Sequence, residues 1–201
     1  MSWTRLSPSL RWRGRGREGW PVASSPEAPA GAGDATVDQV LGYFFRQNLW
    51  ANLQLIDFCR GLSHEQLDFA VPGTMGSLRG ILLHILGAEA RYVTGLRGSP
   101  PERAVDERTP WPGFDALAEA ARSSGEALIA LASEDLAARQ VERRLPDRAF
   151  RVPAVTVLVQ AFQHGTDHRS QAQTIITQLG LQPPALDVWA YARAVGDFVE
   201  L

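Results

Sequence analysis

Two histidines four residues apart stand in the stretch His164-Gly165-Thr166-Asp167-His168, and a third, His84, lies in an apolar run far upstream. At about 100° per residue, helix positions four apart sit one turn above each other, so the two imidazoles can address one atom. With His168 set at zero on a helical wheel, Val157, Ala161, Ala172, Ile175 and Leu179 fall within roughly 40° of it, and His164 lies at the edge of that arc. Both rings are therefore expected to face the core, where each needs a hydrogen-bond partner and neither charges cheaply. A divalent metal ion meets both demands. Imidazole suits Zn, Ni, Cu and Fe, and catalytic zinc commonly takes three protein ligands plus water. His84, between Gly80 and Gly87-Ala88, is the candidate third ligand, because small neighbours leave room for an ion. Each histidine also has a plainer reading: a single His on an apolar helix can be a satisfied core residue, and an H-x-x-x-H pair arises by chance. His64 follows Gly61-Leu62-Ser63 in a polar turn and is left out of the site.

Helices must position these rings. Asp34 or Thr36 can cap a first helix running to about Arg60, with Val37, Val40, Leu41, Phe44, Phe45, Leu49, Leu53, Ile56 and Phe58 as its apolar stripe and Gly61 as its stop. After a polar link, Ser77 caps a second helix that is apolar almost all round from Leu78 to Leu96 and is expected to be central. Gly98 to Gly113, rich in Pro and charge, reads as a long surface loop. A third helix is expected from Phe114 to about Ser133. Val141, Leu145, Phe150 and Val152 around Pro146-Asp147-Arg148 read as a small β-hairpin within Gln140 to Val152. Pro153 can start the fourth helix, which carries the histidine pair to Leu179 before Gly180 and Pro183-Pro184, and a short last helix spans roughly Leu186 to Phe198. The fold class is all-α: four main helices with loops between them argue for an antiparallel bundle.

Composition sets the bounds. A chain of 201 residues, 45% hydrophobic, supplies one ordinary core. Residues 1–33, with five arginines before Glu18 and then Pro, Ala, Gly and Ser, are expected to be a disordered tail on a bundle domain of residues 34–201. A start codon placed upstream of the true one explains that tail more plainly than a transit peptide. The formal charge of −2 and pI near 6.1 give no positive field for nucleic acid or anionic lipid, so neither is an expected partner. Every basic residue is Arg, which reads as codon bias. The single cysteine, Cys59, has an apolar setting that suits a buried thiol in a reducing, cytoplasmic environment; as a catalytic nucleophile it has no His or Asp at recognisable spacing. No apolar run reaches the roughly 20 residues that span a bilayer.

The chain resembles the DinB/YfiT-like family of metalloenzymes. The resemblance rests on Asn48-Leu49-Trp50-Ala51-Asn52, on Leu82-Leu83-His84-Ile85-Leu86-Gly87-Ala88-Glu89, and most specifically on His164-Gly165-Thr166-Asp167-His168-Arg169-Ser170-Gln171. It extends through Leu179-Gly180 and Asp187-Val188-Trp189-Ala190-Tyr191, covering roughly residues 36 to 198. It implies an up-down-down-up four-helix bundle, often a homodimer, with a three-histidine metal site mapping to His84, His164 and His168. Relatives with tested activity are thiol-dependent enzymes, bacillithiol S-transferases and mycothiol-dependent isomerases, in which a metal activates a cofactor thiol. The isomerases commonly have Glu where this chain has His164, so the pattern is nearer the all-histidine branch and the isomerase reaction is not carried over.

The expected function is therefore a metal-dependent thiol S-transferase acting on small electrophiles. Its expected cofactors are Zn or Ni and a low-molecular-weight thiol. A metal-dependent hydrolase and a non-enzymatic metal-binding stress protein are the alternatives, and no catalytic residue beyond the ligands is assigned. Gln171, Glu89, Asn48 and Asn52 are the candidate acceptors for the second imidazole N–H. Asp167 and Arg169 are placed about 100° to either side of His168; Arg169 is a candidate for a substrate carboxylate or for a structural ion pair, and Asp187 has similar status. Val155, Val159 and Phe162 form a second apolar strip, to be covered by the hairpin or by a second subunit.

Overall fold

The computed structural model describes residues 36–144 and 147–200. The Arg-rich stretch 1–33, Asp34 as an alternative cap, and Leu145 with Pro146 lie outside the described residues. Helix α1 (Val37–Arg60) starts at Thr36, whose hydroxyl accepts from Gln39 N–H while the Gln39 side chain accepts from Thr36 N–H. This reciprocal box satisfies two of the orphan donors at the helix start. Helix α3 (Leu78–Arg97) is capped by Ser77 and stopped by Gly98 in the left-handed conformation.

Helix α4 (Phe114–Leu131) ends slightly before the expected Ser133. Strands β1 (Gln140–Arg144) and β2 (Ala149–Pro153) form the expected antiparallel hairpin, pairing Gln140 with Pro153 and Arg144 with Ala149. Helix α5 (Ala154–Gln178) follows at once, with Pro153 as its N-cap residue. Helix α6 (Val188–Val195) is shorter than expected because the Asp187 carboxylate caps its start and Gly196 turns left-handed at its end. The Ser63-x-x-Gln66 capping box folds the expected polar link into a short helix, α2 (His64–Asp68).

Two apolar clusters fix the directions of the main helices. One gathers the second half of α1 (Ala51 to Cys59), the start of α3 (Leu78 to Leu86), the start of α4 (Leu117 to Ala121) and the later part of α5 (Ala172 to Ile176). The other gathers Phe45 of α1, Val93 and Leu96 of α3, Ala127 to Leu131 of α4, and Ala154 to Ala161 of α5. Hence α1 and α5 run one way and α3 and α4 the other, the up-down-down-up order that the resemblance implies. The simple antiparallel reading fails at one connection: α3 and α4 are parallel, so residues 98–113 must return along the bundle.

As expected, α3 is central, with twelve of its twenty residues buried. Helices α1 and α4 approach closely at Gly125, where a Cβ would come within 2.8 Å of Leu49 Cδ1. The hairpin packs on α3, with Val141 Cγ1 lying 3.6 Å from where a Cβ on Gly95 would stand. It does not cover the second apolar strip, for Val155 and Val159 remain 44% and 54% exposed. Phe162 is tucked against Phe44 and Phe45, with ring centroids 5.0 and 6.3 Å away. Among the described residues no helix is long and apolar enough to cross a membrane.

Candidate metal centre

His164 and His168 project from one face of α5 toward α3, and His84 meets them from the early part of α3. Each ring offers one nitrogen to a common point, and those three nitrogens all lie within 4.8 Å of one another. The ring centroids are 4.4, 4.6 and 4.9 Å apart. His84 Nε2 and His164 Nε2 face each other at 3.0 Å. In a tetrahedral zinc site, Zn–N bonds of about 2.0–2.1 Å put ligand nitrogens roughly 3.3 Å apart, so this spacing is near what one ion demands. All three rings are half-buried.

The outer nitrogens fix the tautomers. His84 Nδ1 donates to Glu107 Oε2 at 2.5 Å, and Glu107 Oε1 pairs with Arg91 Nη1 at 3.0 Å. A carboxylate only accepts, so Nδ1 of His84 carries the hydrogen and Nε2 presents its lone pair inward. His168 Nδ1 donates to Gln171 Oε1 at 3.2 Å, and the same oxygen accepts Met75 N–H at 2.8 Å. His164 Nδ1 is buried without a partner, the one such side-chain nitrogen or oxygen among the described residues.

Electrostatics keep the α5 pair neutral. Burial, then the other two imidazoles and Arg91, push His164 down to about 4, against a smaller opposing pull from Asp167. His168 is lowered as well, chiefly by burial, with its bond to Gln171 opposing. Neutral imidazoles are the form that binds metal, and three convergent nitrogen donors, two of them oriented from outside, make a donor set able to hold a divalent ion.

Glu107 was absent from the sequence expectations. Loop 98–113 crosses α3 over Gly87, with Glu107 N 3.5 Å and Val105 O 3.6 Å from where a Cβ on Gly87 would stand. The space expected for an ion beside Gly87 is thus occupied by loop backbone. Of the expected acceptors, Gln171 serves His168, whereas Glu89, Asn48 and Asn52 serve each other. The buried Glu89 accepts from Asn48 Nδ2 and Asn52 Nδ2 at 2.8 Å each, and from Ser124 Oγ at 2.7 Å.

Arg169 closes that network. Its Nη1 donates to Asn48 Oδ1 at 2.7 Å and Asn52 Oδ1 at 2.8 Å, and its Nη2 to Thr166 Oγ1 at 3.2 Å. It therefore meets amide oxygens where a carboxylate partner was expected, and burial lowers it to about 10 while Glu89 pulls the other way. Gly165 makes this approach feasible: a Cβ there would stand 2.8 Å from both Arg169 Nη1 and Asn48 Oδ1.

The remaining candidates lie away from the three rings. Asp167 accepts from Gln163 on the exposed rim at 2.8 Å, and Asp187 is the α6 cap. His64 is exposed, with Nδ1 3.2 Å from Arg79 Nη2. Cys59 is fully buried and its thiol is pushed up to about 12 by that burial, which removes it as a nucleophile. A cleft of about 520 Å³ among Arg97, Glu102, Glu126 and Glu134 is not lined by any of the three histidines.

No curated protein shows a significant match to the chain. A family model does, over residues 36–197, a span that takes in α1 through α6 and all three converging histidines. The chain belongs to the DinB family.

Proposed function

We propose that His84, His164 and His168 hold one divalent metal ion, zinc or nickel, and that the protein is a metal-dependent thiol S-transferase for small electrophiles. The observation that carries this reading is the convergence of three imidazole nitrogens within 4.8 Å. Held by these three imidazoles, a divalent ion would keep its full charge and would supply the acidification that makes a thiol or a water nucleophilic near neutral pH.

The chain's own groups do the rest. Glu107 and Gln171 orient two of the rings through their Nδ1–H groups. The rings are half-buried between α3 and α5, and this partial removal from water strengthens the charge interactions there. Tyr92, edge-on to His164 with centroids 5.7 Å apart, bounds the centre on the hairpin side. The thiol class, bacillithiol-like or mycothiol-like, is supported by the family resemblance.

The test begins with untagged full-length protein analysed for metal. The expected result is about one ion per chain, lost in His84→Ala, His164→Ala and His168→Ala. Monochlorobimane with a low-molecular-weight thiol should then be consumed at a rate that tracks metal content. Metal without turnover on any thiol would overturn the transferase reading in favour of a metal-binding protein, and ester hydrolysis in its place would favour the hydrolase.

The same reading includes a homodimer through the strip of Val155 and Val159. Light scattering should give twice the chain mass, and Val159→Glu should return it to one.

A further inference from the structure

A small apolar pocket of about 220 Å³ lies between α3, α5 and the hairpin. Tyr92, Phe150, Val152 and Val157 make its walls, and Thr156, Gln160 and Arg143 supply its polar groups. It adjoins the histidines. Gln160 is four residues before His164 on the same helix, about 6 Å of rise, and the Tyr92 ring that lines the pocket also packs on the His164 ring.

Arg143 sets the chemistry of a ligand. It is half-buried on β1, and among the described residues no carboxylate reaches its guanidinium, since the adjacent Glu142 is engaged by Arg144 at 2.6 Å and Arg151 at 3.5 Å. The other guanidiniums near the centre are committed, Arg169 to Asn48 and Asn52 and Arg91 to Glu107. A partly desolvated cation beside an apolar wall recovers its lost hydration best from a carboxylate, whose two oxygens match the guanidinium fork. At about 30 Å³ per water in the liquid, the pocket has the space of about seven waters, which a phenyl ring or a short branched chain fills.

We propose that this pocket binds an amphipathic carboxylate as the substrate of the metal centre: apolar body against Tyr92, Phe150 and Val152, carboxylate on Arg143, reacting end directed past Tyr92 to the three histidines. The carboxylate subsite stands on the pocket alone, and its link to reaction rests on the metal-centre reading.

The test uses full-length protein titrated with 3-phenylpropanoate and with the uncharged 3-phenylpropan-1-ol, followed by calorimetry. The expected result is about tenfold tighter binding of the carboxylate, with Arg143→Met removing that preference and leaving the alcohol unchanged. In cobalt-loaded protein, the protons of the bound carboxylate should relax faster than in zinc-loaded protein. Equal affinity for the two probes, or a preference that survives Arg143→Met, overturns the carboxylate subsite. Metal content is read on the same samples. Full metal without charge preference overturns the pocket alone, and charge preference without metal overturns the centre alone.

Discussion

Two polar clusters share the middle of α5, and they differ in whether their hydrogen bonds close. Around Arg169 every principal group is answered: Glu89 has three donors, the two asparagines bridge it to the guanidinium, and Thr166 takes another N–H. Around the histidines Glu107 and Gln171 close the outside, but inside three nitrogens converge with one contact among them, His84 Nε2 to His164 Nε2 at 3.0 Å, and His164 Nδ1 has no partner. The contrast separates structure from function. A buried polar cluster that satisfies itself specifies the packing of its helices, and one that crowds three imidazoles together and leaves a buried nitrogen unpartnered has capacity left for a ligand.

The largest expected effect lies in the closed cluster. Glu89→Ala leaves the two asparagine amides, Ser124 and Arg169 uncompensated inside the bundle, and should cost about 3–5 kcal/mol of unfolding free energy in urea denaturation. If that variant is as stable as wild type, the closed cluster is not structural and the comparison fails.

Next comes the open cluster's outer partner. Glu107→Ala should weaken zinc binding about 10–100-fold in a chelator competition, because His84 loses the acceptor that orients it. Stability of the metal-free chain should change far less, since Glu107 sits on a partly exposed loop. Equal losses in both measurements would mean that the loop merely holds the fold.

Gly165 joins the two clusters. Gly165→Ala gains helix propensity of about 1 kcal/mol but sets a methyl 2.8 Å from Arg169 Nη1 and Asn48 Oδ1, and overpacking of that kind costs about 1–3 kcal/mol. A net loss of about 1 kcal/mol, with metal affinity also reduced, is expected from denaturation and chelator titration together.

The last effect is a pH dependence of the metal-free protein. The folded state holds His164 neutral down to about 4, whereas the unfolded chain takes up a proton near the ordinary value of 6.5. The unfolded state therefore binds more protons in that window, and stability should fall as pH drops from about 6.5 to about 4, then level off. His168, lowered in the same sense, adds to the slope. Thermal scans of His164→Leu without metal should show a flatter profile, and a profile as steep as wild type would place the titration elsewhere.

How much of this could be read from the chain follows from how local each signal is. The i, i+4 histidines and the caps Thr36 and Ser77 act within one turn, so spacing alone exposes them, whereas Asp187, expected as a charged contact, proves to be a cap. Helix α2 is equally local, its Ser63 and Gln66 spelling a capping box inside the polar link. Glu107 carried no such signal, because a loop carboxylate has no period and meets His84 only after residues 98–113 have been laid across α3. Glu89 is legible as a candidate acceptor but not as one already spent, since its three donors come from α1 and α4. The parallel pairing of α3 with α4 left no trace in hydrophobic periodicity, and entered through the family resemblance.

That parallel pairing has a mechanical consequence. The connection from Arg97 to Phe114 must cover the length of α3, twenty residues or about 30 Å, and an extended chain of residues 98–113 reaches about 50 Å, so there is slack to spare. Slack lets insertions and deletions retune where Glu107 falls relative to His84 while every helix keeps its register. The crossover is an adjustable tether: it can reset how firmly one ligand is held, and with it the reactivity of whatever the centre binds, without rebuilding the bundle.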